Sequence, residues 1–132
     1  MEPSFLTVDE VLEIHEQQIE LYGGSHGVRD MGLLESALGV PQASFGGEYL
    51  HPSIPAMAAA YLFHITQNHP FFDGNKRTGA NAAITFLLMN DLEPTFDENS
   101  LVELVLAVTQ GAASKGDVGQ FLERHSRPFA SN

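Results

Sequence analysis

Two apolar segments of helical length, Ile54 to Asn68 and about Asn75 to Asn90, are separated by only a few residues, and the residues between them are polar, turn-forming and charged. The first segment is rich in alanine (Ala56, Ala58, Ala59, Ala60) and apolar nearly all round, which places it at the centre of the fold. The second carries Ile84, Leu87 and Leu88 toward the same core. The junction runs His69-Pro70-Phe71-Phe72-Asp73-Gly74-Asn75-Lys76-Arg77-Thr78-Gly79-Ala80-Asn81. Whatever the chain does, it holds this polar junction between two buried elements.

The rest of the chain reads as further helices. Thr7 and Glu10 form a capping box, and Val8, Val11, Leu12, Ile19 and Tyr22 follow at helical spacing to about Leu21, where Gly23-Gly24 ends the run. His15 falls beside that apolar face and is expected to be a half-buried structural histidine. Asp30 caps a short helix with Leu33, Leu34, Ala37 and Leu38 inward, and Arg29 before it is expected to pair with a surface acid. Asp97 caps a helix from Glu98 to Gln110 with Leu101, Leu104, Val105 and Val108 inward, and Ser114 caps a last one carrying Val118, Phe121 and Leu122. Leu92 to Phe96 reads as an extended connector, and the tail from Arg127 to Asn132 as frayed. Pro41 to Pro55 is the longest irregular stretch, with Phe45 and Tyr49 flanking Gly46-Gly47; it is either a flap over a site or a lid over the core. The expectation is an all-α single domain, residues 1–132, of about six helices with a flap at about 41–55.

Composition narrows the partners. The net charge of −11, from 17 acidic and 6 basic residues, repels nucleic-acid backbones and anionic membranes and suits a basic protein partner. No cysteine is present, so disulfides and thiolate metal sites are excluded; that fits a reducing cytoplasm. No apolar run has the length of a membrane span, and no signal peptide is expected at the start. His51, His64 and His69 lack the spacing of a zinc site.

The junction carries the chemistry. His69 is suited to general-base work near neutral pH. Asp73 is a hard oxygen donor suited to Mg²⁺, which takes one or two carboxylates beside phosphate oxygens. Gly74 permits a close turn onto a phosphate, Asn75 either fixes the loop or contacts phosphate, Lys76 supplies a point charge and Arg77 a fork. Cations disfavour a helix N-terminus, so two of them there point to an anion rather than to the fold. Phe71 is expected to anchor the loop inward. Together these residues describe a phosphoryl- or nucleotidyl-transfer site.

The stretch from His69 to Arg77 resembles the signature of the Fic/Doc superfamily, whose Fic branch reads His-x-Phe-x-(Asp/Glu)-Gly-Asn-Gly-Arg-x-x-Arg. Lys76 stands where that branch has its second glycine, and Ala80 where it has its second arginine. Both departures are similar to the Doc branch, the death-on-curing toxins, whose motif carries Asn-Lys-Arg. Phe5-Leu6-Thr7, Tyr22-Gly23-Gly24, Gly32 to Leu38, Phe45-Gly46-Gly47 and the Leu101 to Val108 helix also resemble that family.

The resemblance implies a toxin that phosphorylates a protein hydroxyl, with elongation factor Tu as target, and so arrests translation. The alternatives are AMP transfer from ATP, as in the Fic branch, and a catalytically idle module that only binds a partner. It implies His69 as base, Asp73 as the Mg²⁺ carboxylate, Gly74, Asn75, Lys76 and Arg77 as phosphate cradle for ATP, and Asn81 as support. Phe45, Gly46, Gly47 and Tyr49 would belong to a flap that docks the target segment by strand addition. The inhibitory (Ser/Thr)-x-x-x-Glu-(Gly/Asn) helix of the Fic branch is missing from the sequence. The resemblance therefore implies restraint by a separate Phd-like antitoxin, folded as a helix into a groove.

Overall fold

A computed structural model describes residues 2–129. Six helices follow one another: α1 (Val8–Tyr22), α2 (Met31–Gly39), α3 (Ile54–Asn68), α4 (Asn75–Met89), α5 (Glu98–Thr109) and α6 (Lys115–Arg124). Five of them start where a side chain closes the first turn. Thr7 and Ser114 form capping boxes with Glu10 and Asp117. Asp30, Ser53 and Asp97 accept from the backbone N–H of Leu33, Ala56 and Ser100. Each such cap is worth about 1 kcal/mol. The exception is α4, whose N-cap is Gly74, with no side-chain cap.

α3 is the hub, with α4, α6, α2 and α5 all packed against it. Its residues Met57 to Leu62 are all buried, and its alanines let neighbours approach closely. Gly79 of α4 carries the closest approach: a Cβ there would lie 2.8 Å from Thr66 Oγ1 and 3.0 Å from the Leu62 carbonyl oxygen. Tyr61, Phe86, Leu34, Ile65, Leu87 and Val108 are fully buried in one hydrophobic cluster. The Tyr61 hydroxyl accepts from the Leu6 N–H at 3.0 Å, and burial pushes its pKa up to about 12.

Several expectations need correction. Pro41 to Pro55 is not wholly irregular. Its strands β1 (Ser44–Phe45) and β2 (Glu48–Tyr49) pair antiparallel, with Gly46 and Gly47 both at positive φ between them, as a type I′ hairpin turn requires. The connector and the tail are also paired: β3 (Leu92–Pro94) and β4 (Ser126–Pro128) form an antiparallel ladder, closed by Arg127 Nε donating to Glu93 Oε1 at 2.7 Å. The frayed tail is thus ordered as far as Pro128, while residues 130–132 lie outside the described part. Leu88 and Tyr22 do not face the core; they are 43% and 60% exposed.

The N-terminal segment straps the flap to the helices. Asn90 holds both backbone groups of Ser4, accepting from its N–H and donating to its carbonyl. Phe5 packs on Phe86 and on Tyr49, and the Tyr49 hydroxyl donates to Glu2 Oε2 at 2.8 Å.

Candidate active site

The junction loop, residues 69–74, is held from two sides. α1 supports it from below. His15, 3% exposed, stacks on Phe71 with ring centroids 3.8 Å apart and planes 7° apart, and its Nε2 lies 2.8 Å from the Asp73 carbonyl oxygen. The carbonyl can only accept, so Nε2 carries the proton. His15 is therefore buried, beyond the half-burial expected, and its role is to fix the motif. Residues 24–30 hold the other side: the Pro70 carbonyl accepts from the N–H of Arg29 at 2.7 Å and of Asp30 at 3.1 Å, and Val28 bridges Phe71.

Arg29 corrects a second expectation. It pairs with no surface acid among the described residues; its Nε donates to the His69 carbonyl at 2.7 Å and its guanidinium to the Asn68 carbonyl at 3.1 Å. These are end carbonyls of α3, which a cation satisfies well. The bond fixes His69, which caps α3 in the left-handed region at φ 50°, a conformation that costs a non-glycine residue on the order of 1–2 kcal/mol. The His69 side chain is exposed.

Asp73 points into solvent with one oxygen committed: Oδ2 accepts from the Ser25 N–H at 2.7 Å. Gly24, at φ +114°, backs it so closely that a Cβ there would sit 3.1 Å from Asp73 Cβ. Oδ1 is left for a ligand. A carboxylate with one anchored and one free oxygen fits a divalent cation whose other ligands are phosphate oxygens and water. Among the described residues no three His, Cys, Asp or Glu side chains gather into a metal site.

Asn75 spends its whole amide on the loop: Oδ1 accepts from the Phe71 N–H and Nδ2 donates to the Phe71 carbonyl, both at 2.9 Å. It closes the turn that aims Gly74 to Arg77 outward, and its part in a phosphate cradle is left to its backbone N–H. Gly74 sits at φ +78°, and a Cβ there would meet Ile19 at 3.2 Å. Lys76 and Arg77 are exposed in the first turn of α4, and the Arg77 guanidinium rests 4.9 Å above the Tyr22 ring. Asn81 Nδ2 donates to the Arg77 carbonyl at 2.8 Å.

Lys76, Arg77 and Asn81, with Gln18 and Glu98, are the polar residues of a cleft of about 720 Å³. Its floor is apolar and comes from α1, α4 and α5, with Leu21, Tyr22, Leu101, Val105 and Leu106 among its walls. His69 and Asp73 do not line it. The motif therefore faces two ways: His69 and Asp73 are exposed away from the cleft, and Lys76 and Arg77 are exposed at its edge. In the flap, Phe45 is 82% exposed, whereas Tyr49 is half-buried against Phe5.

His15, Gly24, Ser25 and the true role of Arg29 were not legible in the sequence. His15 and Asp73 are 58 positions apart, and no local pattern joins them. The glycine cluster Gly23 to Gly27 was the available hint, since its positive φ values mark a backbone that closes onto something.

The sequence profile of the Fic/DOC family matches residues 5–87, which includes the loop and most of α4. The chain is 32% identical over 119 residues to the protein kinase doc of Escherichia phage P1, covering 90% of this chain and 93% of that protein. It is 43% identical over 76 residues to the toxin Doc of Mycolicibacterium smegmatis, covering 58% of each. The chain belongs to the Fic/Doc family and, within it, is a Doc-like protein.

Proposed function

We propose that this chain, a transferase of the Fic/Doc type, is the toxin of a toxin–antitoxin pair and moves the γ-phosphoryl group of ATP to a hydroxyl of elongation factor Tu in the cytoplasm, arresting translation. The observation that carries the reading is the N-terminus of α4. It alone among the described helices has no side-chain cap, and it carries two cations, Lys76 and Arg77, in its first turn with no acid beside them. A glycine N-cap forgoes a few tenths of a kcal/mol relative to a side-chain cap, and each cation there costs about 0.3–1 kcal/mol more. A phosphate reverses both effects, because it accepts from the free N–H groups and pairs with the cations.

Each residue then has a task. His69 takes the proton of the target hydroxyl. Asp73, with the phosphates, would hold Mg²⁺, which would supply charge neutralisation there. Gly74, Asn75 and Lys76 present backbone N–H groups, while the Lys76 and Arg77 side chains balance the phosphate charge. Asn81 steadies Arg77. The β1–β2 hairpin offers an edge and Phe45 to an extended target segment, with Gly46 and Gly47 forming the turn and Tyr49 anchoring its base. Lys76 favours phosphoryl over AMP transfer because its side chain crowds the position a glycine would leave open for an α-phosphate. Ala80 leaves the cleft wall uncharged where an AMP transferase would carry a second arginine.

The apolar cleft with its Lys76–Arg77 rim suits an amphipathic helix that ends in acidic residues. A Phd-like antitoxin segment docked there would cover the phosphate cradle. Induced expression tests the reading in vivo. The native chain is expected to arrest growth, and His69→Ala, produced at equal level, to leave growth unaffected. Arrest that survives His69→Ala would assign the chain to simple partner binding.

A further inference from the structure

A second group of titratable side chains lies where α3 meets α6, away from the motif. Lys115, the first residue of α6, places Nζ 3.1 Å from His64 Nε2. Lysine only donates, so His64 accepts with an unprotonated Nε2. His51 completes the cluster, and its buried Nδ1 has no hydrogen-bond partner among the described residues. Lys115, His51, Ser53 and Glu123 line a cavity of about 240 Å³.

The acids nearby do not pair with Lys115. Asp117 is engaged with the Ser114 N–H, and Glu123 faces the cavity without forming an ion pair among the described residues. In a chain with 17 acidic side chains and only two lysines, a half-buried lysine whose hydrogen-bond partner is a histidine is out of pattern. Two effects favour its neutral amine: burial and the positive end of α6. Burial draws Lys115 below the ordinary lysine range. Burial, with Lys115 and His51 adjacent, brings His64 to about 4; burial and then Lys115 also lower His51.

We propose that Lys115 is an acylation site that accepts small acyl groups from acyl phosphates, with His64 receiving the amine proton. The neutral Nζ attacks the acyl carbon and forms a C–N bond. The bond from that carbon to the phosphate oxygen breaks, and inorganic phosphate leaves with the electron pair. The proton passes to His64 Nε2 and then to solvent. The cavity lies below the size range of drug-sized ligand pockets, which suits a small acyl group. The amide product is uncharged and removes one of the 6 basic side chains. The proposal is independent of the reaction at the motif.

The test treats the full chain with acetyl phosphate between pH 6.5 and 9.5 and reads acetylation of Lys115 and Lys76 by peptide mass spectrometry, with Nα-acetyllysine as reference. At pH 7 Lys115 is expected to react faster than the reference, because burial leaves more of it as the neutral amine. Its rate is expected to level off at lower pH than the reference. His64→Gln is expected to slow Lys115 and leave Lys76 unchanged. A Lys115 rate equal to the reference, or unchanged in a folded His64→Gln protein, overturns the proposal. If that variant melts early, the native pH profile decides alone, and a profile parallel to the reference overturns it.

Discussion

Asp73 shows how a single side chain can be held without being used up. Its carbonyl is held by His15, its Oδ2 by Ser25, and its Oδ1 is free. Asp73→Asn keeps the shape but loses the charge that a divalent cation needs. Mg²⁺-dependent transfer is expected to fall at least about 100-fold, while stability changes by no more than about 1 kcal/mol, as for an exposed residue. Transfer rates and thermal melting, measured together, check both; retained transfer removes Asp73 from the metal site. The candidate site residues can be named from the sequence because His69, Asp73, Lys76 and Arg77 lie within nine positions of one another. The supports were not, because His15, Gly24 and Arg29 reach the loop from other elements. Arg29 departs from expectation because an exposed arginine ordinarily finds an acid, and here the end carbonyls of α3 are better placed.

The helices were legible, and the strands were not. Caps at Thr7, Asp30, Ser53, Asp97 and Ser114 are local chemistry, so a sequence shows where those helices start. β3 and β4 are three residues each and each ends on a proline, which removes the usual strand signal. Their pairing depends on α5 and α6 bringing distant segments together. Packing between elements is similarly hidden. Nothing in the local sequence says that Gly79 abuts Thr66 and the Leu62 carbonyl. Gly79→Ala raises helix propensity by about 1 kcal/mol, yet its methyl has no room against backbone. The clash is expected to win, with a net loss of about 1–3 kcal/mol in denaturant unfolding. An unchanged or higher stability would show that α3 and α4 can separate without cost.

At the scale of the whole molecule, acid stability follows from His64. Its imidazole binds a proton less readily folded than unfolded, with the folded value at about 4 against 6.5 unfolded. Between those values the unfolded chain holds more protons, so stability rises with pH and falls as the pH drops from about 6.5 toward 4. Discounted for the exposed part of the ring, the loss is about 1–2 kcal/mol. Unfolding free energies at pH 7 and pH 4.5 measure it, and His64→Gln is expected to flatten the difference; an equal slope in the variant would place the proton uptake elsewhere. The net charge of −11 sets the other global property, a field that repels nucleic acid and favours basic partners, broken at the surface by Lys76 and Arg77.

The central claim is that Lys76 and Arg77, at an uncapped helix end, serve γ-phosphoryl transfer. The most direct test incubates the protein with Mg²⁺, elongation factor Tu and ATP labelled at either the γ- or the α-phosphate. The account predicts label in elongation factor Tu from the γ-position alone. Label from the α-position would contradict it and make the chain an AMP transferase despite Lys76.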